Sequence, residues 1–161
     1  MPSSTPLDPV DLRLLALLQA DCSLTNQELA ERAAVSPATA LRRVKALTEA
    51  GVIERRVALL SPDHLGAGLS ALVEVTLDRQ GADWLDAFEA HALPFPEVQQ
   101  CWRVSPGPDF MLVLQVADMA AYAELAQRLF TSQANVRNVK AFFAVKRAKF
   151  HPQIALPAVS A

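Results

Sequence analysis

Cysteine is scarce. Cys22 and Cys101 are the two, far apart and outside any CxxC pair. That pattern supports neither a disulfide framework nor a cysteine metal site, and it suits a reducing compartment. His64, His91 and His151 are scattered, none with a partner at metal-ligand spacing. Neither cysteine sits in a nucleophile motif, and no glycine-rich phosphate cradle is present, so the residues give catalysis no foothold. No apolar run is long enough to span a bilayer and no signal-peptide pattern opens the chain. The expectation is a cytoplasmic protein with no metal, no cofactor and no membrane partner. Aromatic residues make up only 6%, so the core must come mostly from Leu, Val and Ala.

What is present is ordered chain. Hydrophobic residues reach 52%, which argues against disorder, and 161 residues suit one medium domain or two small ones. The net charge of −2 carries no nucleic-acid signal, but its distribution does. Between positions 32 and 56, Arg32, Arg42, Arg43, Lys45, Arg55 and Arg56 face only Glu49 and Glu54. A second basic run lies between 136 and 149, with no acidic residue.

Three helices with marked starts are expected in the first sixty residues. Asp8 caps the first, with Pro9 at its first position and Leu7 and Leu12 spaced as a staple. Leu14, Leu15 and Leu18 form its buried stripe. Thr25 and Glu28 form a capping box for a short second helix. Ser36 caps the third, Pro37 opens it and Gly51 ends it. Leu41, Val44 and Leu47 share one face and are expected in the core. Only Ala34 and Val35 separate the second helix from the Ser36 cap, a turn short enough to make the helices cross steeply as in a helix-turn-helix. "VIERRVALLSP" then reads as a strand leading away, and "SPDHLGAG" as a break.

The second half begins with alternation. Leu69, Ala71, Val73, Val75 and Leu77 point one way, with Leu72 an exception on the other side. "GADWLDAFEAHAL" reads as a helix with Trp84, Leu85 and Phe88 inward. "EVQQCWRV" and "FMLVLQV" read as strands, the latter covered on both faces. "DMAAYAELAQRLF" is a helix capped by Asp118, and "VRNVKAFFAVKRAKF" a long last strand. Strand-helix-strand, twice, is the ferredoxin-like arrangement: one sheet with two helices on one face. Leu72 and Phe143 add apolar surface to the other face, and a homodimer would cover it.

The fold class expected is therefore α+β. Residues 1–56 form a helix-turn-helix, winged-helix-like DNA-binding domain, and 57–68 a linker strand and junction. Residues 69–150 form a ferredoxin-like βαββαβ domain for dimerisation, to which the family resemblance given below adds effector binding, and 151–161 a flexible tail. The basic third helix is either a solvated face or a surface for double-stranded DNA. The preceding helix, the two-residue turn and the Ser-Pro start favour DNA. Ser36, Pro37, Ala38 and Thr39 are small enough for close approach to base edges, and a helix N-terminus attracts phosphate. Arg42 or Arg43 would reach guanine or phosphate. Lys45, Arg55 and Arg56 suit backbone contacts, joined by Thr25 at a helix tip and by Arg32, which divides evenly between phosphate contact and plain surface.

The stretches "LDPVDLRLLALLQAD", "TNQELAERAAVSPATALRRVKALTEAGVI" and "VQQCWRVSPGPDFMLVLQVADMAAY" carry a resemblance. Together they run from Leu7 to about Lys149, and the chain resembles the leucine- and asparagine-responsive (Lrp/AsnC, feast/famine) transcription regulators. The resemblance implies dimers through the C-terminal sheet, often four assembled into an octameric ring, and an amino-acid effector at a subunit contact. It implies control of amino-acid metabolism genes; a ligand-independent architectural DNA-binding protein is the alternative. It also places the effector at Ser105, Pro106, Gly107, Pro108, Asp109 and Phe110. Asp109 and Phe110 match the family loop, but Pro106 replaces its glycine and Gly107 follows one place late. Two prolines remove N–H donors that would meet a carboxylate. Read from the residues alone, "SPGPD" is a tight connection in which Asp109 either caps local N–H groups or receives a ligand's amino group. Ala134-Asn135-Val136 stands where the family often has Pro-Gly-Val, with Asn135 suited to a left-handed turn.

Overall fold

The computed structural model describes residues 7–157, so 1–6 of the expected first domain and 158–161 of the expected tail lie outside the described residues. The chain divides into two units. The first combines Met1–Leu59 with Lys149–Ala161, and the second is Leu60–Ala148.

In the first unit, helix α1 spans Pro9–Ala20, α2 Asn26–Ala33 and α3 Pro37–Glu49. Local chemistry explains each start. Asp8 accepts hydrogen bonds from the Val10 and Asp11 amides, and the Asp11 carboxylate in turn accepts from the Asp8 amide. Thr25 and Glu28 reciprocate in the same way at α2. Ser36 accepts from the Thr39 amide at α3. Leu14, Leu29, Ala30, Ala33, Ala40 and Val44 form the core, with Ile53 and Val35 packed against it.

Leu41 corrects the expected stripe: it is 61% exposed, and Ala40 takes the inward place with Val44 and Leu47. A four-residue step from Ala40 to Val44 keeps the buried line on the α-helical pitch, and Leu41 falls one position off it. The expected strand after α3 is also absent. Residues 54–60 carry no ladder, because a strand needs a hydrogen-bonded neighbour and this segment has none among the described residues. The segment expected to be a free tail is instead held to α1. Gln153 Nε2 donates to the Gln19 carbonyl, and the Gln19 amide pairs with both Ile154 backbone groups.

The second unit is the expected ferredoxin-like sheet. Strand β1 is Leu69–Leu77, helix α4 Ala82–Ala92, β2 Val98–Arg103 and β3 Phe110–Val116. Helix α5, Met119–Ala126, continues into a π turn over Gln127–Thr131, and β4 is Val136–Phe143. The order β2-β3-β1-β4 is antiparallel throughout. Ala71, Val73, Val75 and Leu77 of β1 and Phe110, Leu112, Leu114 and Val116 of β3 face Phe88, Ala92, Leu125 and Leu129 from the helices and the π turn.

Parity along the strands sets three corrections. β3 is buried on one face only, since Met111, Val113 and Gln115 stay half-exposed. Phe142, not Phe143, shares the outer face with Leu72, its register partner, and is 53% exposed. Phe143 turns inward and meets the Tyr122 ring edge-on at 4.9 Å. On α4, Leu85, Phe88 and Ala92 form the inward line, so Trp84 lies outside with the Arg79 guanidinium 4.9 Å above its ring. Asn135 is not left-handed, since Ala34 is the sole non-glycine with positive φ among the described residues. Its side-chain amide instead bonds both backbone groups of Arg79.

Candidate nucleic-acid interface and the loop before β3

The turn between α2 and α3 is set by Ala34 at φ 56°, ψ 49°. This left-handed residue closes α2 by donating its N–H to the Ala30 and Glu31 carbonyls. Asn26 Nδ2 then donates to the Pro37 carbonyl at 2.9 Å, tying the start of α2 to the start of α3. The tip of α3 is thereby fixed. Ser36, Pro37 and Ala38 are exposed and Thr39 half-exposed. Pro37 has no N–H, and Thr39's goes to Ser36, so Ala38 offers the free backbone donor of the first turn. The Ser36 and Thr39 hydroxyls lie 2.8 Å apart and orient each other.

The basic residues expected at this surface do not behave alike. Arg42 is exposed and makes no hydrogen bond or ion pair among the described residues. Lys45 is exposed and only loosely paired, 3.7 Å from Glu49 one turn on. Arg32, Arg55 and Arg56 are exposed, the last two on the extended segment after α3. Thr25 is exposed, but its hydroxyl serves the capping box, accepting from the Glu28 amide and donating to the Glu28 carboxylate. The Thr25 backbone N–H first, and its hydroxyl second, donate to the Glu28 carboxylate and hold it below its ordinary range.

Arg43 corrects the reading that set it beside Arg42. Its Nη1 donates to Asp8 Oδ2 at 2.5 Å and to Asp11 Oδ1 at 2.9 Å. The Asp11 amide first, and Arg43 second, hold the Asp8 carboxyl below its ordinary value. The two carboxylates push the Arg43 guanidinium the other way, further into its charged form. Arg43 therefore clamps α3 to the first turn of α1, and two negative charges neutralise what it would offer a phosphate.

In the second unit, the connection from β2 to β3 carries Ser105, Pro106, Gly107, Pro108 and Asp109. Gly107 adopts φ 127°, open to glycine and strained for any side chain. The Asp109 carboxylate caps locally. Oδ2 accepts from the Leu77 amide at 2.7 Å and from Gln80 Nε2 at 3.3 Å. Asp109 also donates its own N–H to the Val75 carbonyl, so it splices the loop to the end of β1. Beside it lies a depression of about 480 Å³ lined by Gln80, Leu85, Arg103, Val104, Ser105 and Asp109. Phe110 corrects the expected set: it is fully buried, with its ring centroid 4.7 Å from that of Phe88, because the first residue of β3 points to the helices.

Arg103 and Gln80 are the polar lining residues that sequence reasoning missed. Arg103 bonds Asp86 at 2.7 Å and Glu89 at 2.9 Å. Those acids stand three apart on α4, a spacing that marks a shared helix face and was readable in advance. Cys101, on the same strand, is no activated thiol, since burial pushes its pKa up.

Comparison with known proteins agrees in both units. The family described as "Lrp/AsnC ligand binding domain" matches residues 70–154, and "Winged helix-turn-helix DNA-binding" matches 7–54. The DNA-binding transcriptional activator DecR of Escherichia coli K12 is 36% identical over 144 residues, covering 89% of this chain and 95% of that protein. The leucine-responsive regulatory protein of Rhizobium meliloti is 36% identical over 150 residues, covering 93% and 96%. A crystal structure of a Neisseria meningitidis transcriptional regulator in complex with L-Met is 33% identical, with TM-score 0.86, over 93% of this chain and 97% of that one.

Proposed function

This chain belongs to the Lrp/AsnC family of DNA-binding transcription regulators, not to a family of enzymes, and on that premise we propose that it acts in the cytoplasm as a sequence-specific regulator of amino-acid metabolism genes. The observation that carries this reading is the α3 tip: small exposed residues from Ser36 to Thr39, a free Ala38 N–H, and Arg42 with no internal partner one turn further on. An arginine fork held at such a tip suits guanine in the major groove or a phosphate beside it. Ser36, Pro37, Ala38, Thr39 and Arg42 form the proposed reading surface. Arg32, Lys45, Arg55, Arg56 and the Thr25 tip flank it as backbone contacts.

The effector is a small amino acid, bound at a subunit interface by Ser105–Asp109 together with Arg103 and Gln80. The depression beside the loop is large enough for one, and it presents the Asp109 carboxylate, engaged through Oδ2 alone, to a ligand's amino group, while Arg103 would exchange one of its two acids, Asp86 or Glu89, for the ligand's carboxylate. The L-Met bound to the Neisseria regulator, and the name of the Rhizobium relative, point to the same ligand class. The protein works as a homodimer, with Leu72, Phe142 and Trp102 on the outer sheet face covered by a second copy, and such dimers assemble to an octamer.

Two measurements test this reading. Selection from a random duplex pool should return a short pseudo-palindromic site bound at least about 10³-fold more tightly than unrelated DNA. Equal binding to all duplexes would favour a ligand-independent architectural role. Thermal shifts against the twenty amino acids should single out one or a few. A flat response across all of them would remove the effector from the account.

A further inference from the structure

The first unit is built from two separated pieces of chain. Residues 7–59 supply the helices, the chain then passes through the whole second unit, and Lys149 onward rejoins the first. The rejoining segment has a defined seat. Gln19 is the penultimate residue of α1, and its side-chain amide makes both bonds of a backbone-like pair with Ile154: Ile154 N–H donates to Oε1 at 2.9 Å, and Nε2 donates to the Ile154 carbonyl at 3.1 Å. Gln153 Nε2 donates to the Gln19 main-chain carbonyl at 2.7 Å. That carbonyl lies in the last turn of α1, where backbone acceptors lack intrahelical partners. Leu156 is half-buried where its neighbours are exposed.

An extended segment without secondary structure needs a reason to lie still, and the side-chain amides of Gln19 and Gln153 supply one. The primary amide of Asn or Gln presents a donor and an acceptor side by side, in the geometry of a backbone peptide, so it can satisfy a backbone N–H and a backbone C=O of one residue together. Ile154 therefore has both main-chain groups matched, as if it sat in a sheet.

We propose that residues 149–157 form a strap: a closing segment of the DNA-binding unit, docked on the C-terminal end of α1, that gives this unit a second covalent tether to the end of β4. With one tether, the unit would be joined to the rest of the chain only through the unladdered segment 54–60. Release of the strap at Gln19 leaves the first unit open at the C-terminal end of α1. The strap is thus a conformational device distinct from the DNA-reading surface and from the loop before β3, and neither is needed to observe it.

The test is residue-resolved amide hydrogen exchange on the full chain, on wild type, Gln19→Ala and Ile154→Pro. In wild type the Ile154 amide should exchange at least about tenfold more slowly than in an unstructured peptide. Gln19→Ala should return it to the peptide rate, while the amides of β1 and β3 keep their protection as the internal control for folding. Ile154→Pro removes the donor itself and unseats the Ile154 carbonyl, so the Gln19 Nε2 protons, slowed in wild type by their bond to that carbonyl, should then exchange as in a free glutamine. An Ile154 amide at the peptide rate in wild type would overturn the strap. So would protection in Gln19→Ala equal to that in wild type. Should Gln19→Ala fail to fold, the wild-type rate and the Ile154→Pro variant still decide.

Discussion

Replacing Arg42 by alanine separates a reading residue from a scaffold residue. Arg42 is exposed and has no internal partner among the described residues, so its loss should leave folding stability within about 0.5 kcal/mol. Its loss at DNA depends on what the guanidinium meets. A bidentate contact to guanine is worth about 1–3 kcal/mol, roughly five- to 150-fold in affinity, and its removal relaxes preference at one position. A phosphate contact contributes about 0.9 to the slope of log affinity against log salt. Over a fourfold change in salt, one such contact accounts for about a 3.5-fold change in affinity. The assay is fluorescence anisotropy with a selected duplex, its single-base variants and an unrelated duplex, each at three salt concentrations. Loss confined to the selected duplex makes Arg42 a base reader; equal loss everywhere with a shallower salt slope makes it a phosphate contact. Unchanged affinity and unchanged slope together would refute the assignment of the α3 face.

Other outcomes follow from the same geometry. Arg43→Ala should lower the thermal midpoint of the helical unit at neutral pH by removing the clamp between α3 and α1. The sign of its pH dependence is fixed by Asp8, whose folded pKa lies below the ordinary 3.8. The clamp's contribution is complete above that value and is lost as pH falls through the folded one, so thermal midpoints of wild type and variant should converge in acid. Ala34→Gly should raise the stability of the helical unit by about 0.5–1 kcal/mol, since glycine occupies the left-handed turn without the strain of a Cβ, and denaturant titration followed by helical circular dichroism reads it. Phe110→Ala should cost about 3–5 kcal/mol of stability in the same kind of titration, as a buried aromatic of the sheet core rather than a ligand contact.

Much of this was legible because short-range chemistry wrote it. Asp8, Thr25 and Ser36 each name a helix start through a side chain that bonds an amide two or three residues on. The alternation of β1 names its inner face. What escaped depended on parity or on partners distant in sequence. Leu41 and Ala40 are adjacent, and only the crossing of α2 and α3 decides which turns in. Phe142 and Phe143 differ by one step of register, set by pairing with β1. Arg43 looked equivalent to Arg42 until Asp8 and Asp11 arrived beside it from another helix. Asp109 kept both readings in sequence, and the Leu77 amide shows that one of its oxygens caps the end of β1.

The central claim is that the outer face of α3 meets DNA. Hydrogen exchange of the full chain, with and without a selected duplex, tests it most directly. The account predicts slowed exchange in the first turn of α3, at Ala38 above all, together with the exposed segment around Arg55. Protection confined to the basic run from Arg137 to Lys149, with α3 unchanged, would contradict it.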